Sequence, residues 1–261
     1  MNDFPIRILS AAPGKTRLFF VGGAGFIIKS KSGQLFAWDL YLSDCGERME
    51  GHDGFKRLTP KLLLPQEICF DTIAASHPHF DHFDMDSMPL LMSCPDTKLF
   101  ASVECRKEAE RLGMRHDRTT YVRPGETYQS GDLTLHFVNC DHGTGAPDAV
   151  AAIVSVDGVN IFFAGDTCLR LDRIDEFLQF GRIHIMIAPI NGAYGNLNEH
   201  ECAQLSKALQ PDLTIPCHYG LFASHGGNPG SFRTYMAEEC PDNRYLLMCP
   251  GEEYSIQEKT E

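Results

Sequence analysis

The chain has 261 residues, 43% of them hydrophobic and 22% charged, which is enough for one large α/β domain with a sizeable core. Its formal net charge of −12 argues against a binder of the nucleic-acid backbone, whose affinity rests on clustered Lys and Arg. A small anionic substrate is not excluded, because metal ions supply positive field locally.

The opening residues MNDFPIRILS lack the basic and apolar regions of a secretory signal, and no apolar run is long enough to span a bilayer. A cytoplasmic protein is therefore expected. The ten cysteines include no CxxC pair, and most lie in apolar runs, so they read as buried reduced thiols.

Residues 17–30 (RLFFVGGAGFIIKS) and 34–44 (QLFAWDLYLSD) are β-rich, and SKSGQ between them reads as a hairpin turn. Residues 45–60 are polar and form a loop or a short helix. ICFDTIAAS (68–76) is a strand, and DMDSMPLLMSC (84–94) is predicted to be a helix. KLFAS (98–102) is a short strand, followed by a helix over VECRKEAERLG that Gly113 closes. LTLHFVNC (133–140) alternates with period two. Two apolar strands flank Asp157–Gly158, a hairpin signal. RIHIMIAPI (182–190) is a buried strand, NEHECAQLSKALQ (198–210) an amphipathic helix, and DLTIPCHYG (212–220) another strand. With no repeat or linker, residues 1–261 are expected to form one domain.

The strand ends carry the chemistry. The first central strand runs into His77, His79, Asp81 and His82, and three later strands end at His142, Asp166 and His218. Loops just past strand ends are where a rigid sheet fixes functional side chains. In extended chain, His77 and His79 point the same way and can grip one ion. A turn into a helix near Asp84 throws Asp81 and His82 toward a neighbouring point. Two close cations repel, so a bridging carboxylate is useful, and Asp166 in the AGDT turn is the candidate. His142 then completes the first site and His218 the second. His52, His116, His136, His184 and His200 read as ordinary packed or surface histidines.

These motifs, His77-Pro78-His79-Phe80-Asp81-His82, His142, Gly165-Asp166-Thr167 and His218, resemble in order those of the metallo-β-lactamase superfamily. The resemblance implies a four-layer αββα sandwich with the dinuclear site at one edge. It also implies His77, His79 and His142 on one metal, Asp81, His82 and His218 on the other, and Asp166 between them. WDLYLSD, GFKRLTP, DHGTGAPDAVA, INGAYGNLN and IPCHYGLF resemble the L-ascorbate-6-phosphate lactonase group. Members of that type use manganese and other branches use zinc. Five histidines and two aspartates lean to zinc by donor type, so both metals stay open, with manganese slightly ahead.

Two ions about 3.5–4 Å apart hold a bridging hydroxide near neutral pKa, with Asp81 and Asp166 as the catalytic carboxylates. The expected function is hydrolysis of a small anionic sugar-acid lactone such as L-ascorbate 6-phosphate. A phosphodiesterase of the same fold and a non-catalytic metal-stabilised regulator remain as alternatives. Di-iron oxygen chemistry is disfavoured, because such relatives place a glutamate where His79 stands.

Asp39 can accept the free N–H of a ligand histidine. Arg170, Asn191, Tyr194, Asn196 and Tyr219 fall in loops expected to rim the site. Cys140, Cys168 and Cys217 read as small packing groups. A small-molecule substrate is expected, without nucleic acid or membrane, and a homo-oligomer stays open.

Overall fold

A computed structural model describes residues 3–256. Two mixed sheets face each other. The first contains β1 (Arg17–Gly22), β2 (Gly25–Lys29), β3 (Leu35–Trp38), β4 (Thr72–Ala75), β5 (Lys98–Ser102), β6 (Thr119–Val122) and β13 (Glu253–Ser255), in the order β13-β1-β2-β3-β4-β5-β6. The second contains β7 (Thr127–Ser130), β8 (Leu133–Asn139), β9 (Val150–Val156), β10 (Val159–Phe163), β11 (Ile185–Pro189) and β12 (Leu213–Cys217), in the order β12-β11-β10-β9-β8-β7. Pairing is parallel from β3 to β6 and from β10 to β12, and antiparallel elsewhere.

Alternation along the strands explains the layers. Phe20, Phe26, Ile28, Phe36 and Trp38 from one sheet meet Phe137, Val154, Ile161 and Phe163 from the other in a shared core. Trp38 stacks on Phe163 with centroids 5.1 Å apart. The alternate residues of the first sheet, such as Phe19, Ile27 and Ile73, pack outward. They meet α1 (Phe4–Ser10), α4 (Met88–Leu91) and α5 (Cys105–Arg111). Those of the second, such as Ile153, Phe162 and Met186, meet α6 (Ile174–Leu178), α7 (Glu199–Leu209) and α8 (Pro229–Glu239). Strands buried on both faces read as continuous apolar runs, as these do. The result is the αββα sandwich that the resemblance implies.

Both anticipated hairpins form. Asp157 and Gly158 have φ of 52° and 81°, the two positive values that a two-residue turn matching strand twist requires. Residues 45–60 hold two short helices, α2 (Cys45–Glu50) and α3 (His52–Phe55).

Three features depart from expectation. Residues 4–10 form a helix that no expectation assigned; Pro5 sits in its first turn, and Phe4 and Ile8, one turn apart, are buried. The helix expected over 84–94 shrinks to α4. Asp84 uses one carboxylate oxygen to accept the backbone N–H groups of Leu42 and Ser43 and the other for those of Asp86 and Ser87, so the chain at 84–87 is committed to a turn. Finally, Cys69 and Cys94 form a disulfide with Cα atoms 5.8 Å apart. They precede the paired strands β4 and β5, so the sheet brings together residues whose separation of 25 gives no local signal. The other eight cysteines are free. Among the described residues, no helix is long and apolar enough to cross a membrane.

Candidate metal centre

Five strands, β3, β4, β8, β10 and β12, deliver their C-terminal loops to one place. His77, His82, His142, Asp81, Asp166 and His218 are all buried, and His79 is partly exposed. His77, His79 and His142 can each offer an atom to a common point, as can Asp81, His82 and His218, and His77, His82 and Asp166.

The first group is tight. Nε2 of His77 lies 2.9 Å from Nδ1 of His79, and Nε2 of His142 lies 3.2 Å from the same atom. In the second group, Nε2 of His82 and Nε2 of His218 are 3.1 Å apart, and Asp81 Oδ2 is 3.3 Å from the latter. Asp166 lies between them. Its Oδ1 is 3.3 Å from His82 Nε2 and 3.2 Å from His218 Nε2, while its Oδ2 lies 3.9 Å from His142 Nε2. Imidazole nitrogens about 2.0–2.1 Å from a tetrahedral ion would lie roughly 3.3–3.4 Å apart, close to these separations. Asp166 Oδ1 is buried with no hydrogen-bond partner, as an oxygen awaiting a cation would be. The residues present therefore fit metal ions.

The backbone at these loops is specialised. Gly165 has φ of 64°, and a Cβ there would lie 3.2 Å from Cys140 Sγ and 3.3 Å from the Val150 carbonyl. The AGDT turn thus needs its glycine. Asp39, Tyr194 and His218 hold φ of 46°, 55° and 61°, rarely adopted by side-chain-bearing residues.

Asp39 organises the ring orientations. It is fully buried, and its Oδ2 accepts from His82 Nδ1 at 2.8 Å and from the Ser76 hydroxyl at 2.7 Å. Ser76 Oγ lies 2.9 Å from His77 Nδ1 and accepts from it. Both imidazoles thereby present Nε2 to the site, an assignment inferred from the network.

The charges follow from burial and neighbours. Burial lowers the pKa of His77, His79 and His142, with the neighbouring His82 adding to this. Burial also opposes charge on His82 and His218, but the adjacent carboxylates outweigh it. Asp166, Asp81 and Asp39 raise His82 well above its ordinary value, and Asp166 and Asp81 carry His218 up to about 9. Against the same burial, His82 and His218 hold Asp81 and Asp166 below the usual carboxylate range. Burial raises Asp39, with its His82 and Ser76 donors opposing.

The rim residues fare differently. Asn196 donates to Asp166 Oδ2 at 2.7 Å. Asn191 is 3% exposed, and neither atom of its side-chain amide has a partner. Arg170 is turned to Asp141 and Asp172, to which its guanidinium donates. The Tyr219 hydroxyl donates to the Met248 carbonyl at 2.9 Å, so it is committed away from the metal ligands. Tyr194 is 60% exposed. Cys140 and Cys217 are buried, and Cys168 is partly exposed. His52, His116 and His200 pair with Glu47, Tyr121 and Glu239, His136 stacks on Phe180, and His184 Nδ1 accepts from the Asn160 backbone.

One residue escaped the sequence reading. The His225 ring lies 4.8 Å from that of His218, tilted by 50°, and burial, with His218 beside it, lowers its pKa to about 4. It ends no strand, and its only signal is its place seven residues beyond His218.

The α/β sandwich thus carries buried histidine and carboxylate clusters at one edge that could hold metal ions. A family model described as "Beta-lactamase superfamily domain" matches residues 17–218. The chain belongs to the metallo-β-lactamase superfamily. It is 27% identical over 240 residues to a UPF0173 metal-dependent hydrolase of Anaeromyxobacter dehalogenans (strain 2CP-C), covering 87% of this chain and 82% of that protein. A UPF0173 metal-dependent hydrolase of Archaeoglobus fulgidus is 26% identical over 205 residues, covering 74% and 85%. In fold it is similar to Igni18, a metallo hydrolase from the archaeon Ignicoccus hospitalis, with a TM-score of 0.73 at 19% identity over 94% of this chain and 100% of that one.

Proposed function

We propose that the protein is a cytoplasmic dinuclear hydrolase that opens a lactone or ester, using manganese or zinc. The observation that carries this reading is Asp166, whose two oxygens face different histidine groups. On this reading His77, His79 and His142 hold one ion, Asp81, His82 and His218 hold the second, and Asp166 spans both. Such a pair supplies a water activated near neutral pH and a Lewis acid for the substrate oxygen.

The remaining work falls to the protein. Asp39 and Ser76 hold the tautomers of His82 and His77, and Asn196 fixes the rotamer of Asp166. Asn191, buried and without partners, is suited to bind a substrate oxygen, because an unpaired buried amide is costly until a ligand satisfies it. Asp81 is placed to accept the proton released on attack.

A carbonyl centre is favoured over a phosphodiester because the site is poor in free cations. Arg170 is the sole Lys or Arg within four residues of the assigned ligands, and it is engaged by Asp141 and Asp172. In-line displacement at phosphorus must accommodate several charged oxygens, whereas attack on a carbonyl generates one oxyanion. The test is kcat/KM of the manganese- or zinc-loaded protein on a panel of lactones and esters, L-ascorbate 6-phosphate included, against bis(p-nitrophenyl) phosphate. Faster cleavage of the phosphodiester would overturn the lactone reading and leave the metal centre standing.

A further inference from the structure

The side of the centre beyond His218 is lined with aromatic rings. From His218 the chain of contacts runs to His225, at 4.8 Å between centroids, and from there to Phe222 at 5.2 Å and Tyr194 at 5.5 Å. Phe55 lies 5.8 Å from Phe222 and 5.5 Å from Phe80, which stands between the ligand candidates His79 and Asp81. Tyr41 backs the group, 5.3 Å from Phe222. Phe222 and Tyr41 are buried, but Phe55, Phe80 and His225 are only half-buried, and Tyr194 is 60% exposed. Three of these rings thus keep partial exposure, and Tyr194 is exposed, beside the ligand candidates.

This wall is built rather than accidental. The segment carrying α2 and α3 is fastened to the loop after His218 by backbone hydrogen bonds from Leu58 to the Leu221 carbonyl and from Ser224 to the Gly54 carbonyl, at 2.8 and 3.0 Å. Gly46 makes room for Phe80, since a Cβ there would lie 2.7 Å from the ring. Gly226 packs so closely on the Asn191 carbonyl that a Cβ would lie 2.5 Å from it, seating His225 beside that residue. Arg57 does not offer its charge to a ligand: it donates to the carbonyls of Tyr41 and Ser43 and lies 4.4 Å over the Tyr41 ring. Arg170 is likewise engaged, by Asp141 and Asp172.

We propose that the wall formed by Phe55, Phe80, Tyr194 and His225 is a substrate subsite for an uncharged, planar apolar group, so that the substrate is an ester or lactone bearing an aromatic ring. This rests on the hydrolase reading above and narrows it, putting a flat apolar substituent where the sugar-phosphate expectation puts a charged one. Rings pack edge-to-face or offset on such a wall, and the geometry already present among Phe55, Phe80 and His225 is near-perpendicular, with interplanar angles of 86° and 88°.

The test uses carboxylates, the product group of ester or lactone hydrolysis, titrated calorimetrically into the full metal-loaded chain. Phenylacetate is expected to bind about tenfold more tightly than acetate, and more tightly than cyclohexylacetate, which is apolar but not flat. Phe55→Ala should bring the phenylacetate-to-acetate ratio toward one. Phe55→Leu, which keeps apolar bulk, should erase the preference for phenylacetate over cyclohexylacetate. Equal affinity for all three, no binding of any, or ratios unchanged in both variants would overturn the subsite. Ring preference in binding without turnover of any ester or lactone would remove the hydrolysis reading and leave the subsite standing.

Discussion

Asp166 concentrates the consequences of a single side chain. Asp166→Asn keeps the size and the contact with Asn196 but removes the charge that two cations share. We expect loss of at least one equivalent of metal by elemental analysis and a rate reduction on the order of 10²-fold or more. Two ions retained at wild-type rate would reduce Asp166 to a turn residue. His218 gives a second, pH-dependent expectation. Its pKa in the metal-free fold is raised to about 9, against about 6.5 in the unfolded chain. The folded state therefore binds the proton more tightly, and this stabilisation is complete below about pH 6.5 and lost as pH rises through 9. The melting temperature of the chelated protein should fall across that interval, and His218→Gln should flatten the fall. The seven ligand candidates could be picked out in the sequence because each lies in a loop that follows a strand. His225 was not, since it is brought to His218 by the loop that follows. Nor was the engagement of Arg170, because Asp141 reaches it from another strand.

At the level of elements, the α7 start is tied directly to the site. Asn198 accepts from the Glu201 backbone at 3.0 Å while Glu201 accepts from the Asn198 backbone at 2.9 Å, a reciprocal cap. The loop before it is stitched to the Asp166 turn by Leu197, whose N–H donates to the Thr167 carbonyl at 2.8 Å. Asn198→Ala should cost about 0.5–2 kcal/mol in denaturant unfolding. Because the loop carries Asn191 and Asn196, kcat should fall as well; unchanged kcat would show that the cap and the site are uncoupled. Strands with strong alternation or long apolar runs, β8 to β12 among them, were legible in the sequence. The short β6, β7 and β13, α1, and the truncation of α4 were not, since tertiary pairing and packing, or for α4 the turn that Asp84 holds, decide each.

At the scale of the molecule, the centre joins the two sheets: β3 and β4 bring Asp39 and the 77–82 cluster, and β8, β10 and β12 bring His142, Asp166 and His218. Metal should therefore stabilise the whole sandwich, by about 2.7 kcal/mol at a free ion concentration one hundred times Kd. Chelation should lower the melting temperature as one cooperative step, and a melting curve indifferent to chelator would contradict the cross-sheet role. The disulfide between Cys69 and Cys94 lies at the start of β4 and β5, whereas the 77–82 cluster follows the end of β4. The ligand candidates follow strand ends closely, while Phe55, Tyr194 and His225 of the aromatic wall hang on the connections after β3, β11 and β12. Mutational drift can thus rewrite those connections, and with them the choice of substrate, while the inherited chemistry stays anchored in the sheets.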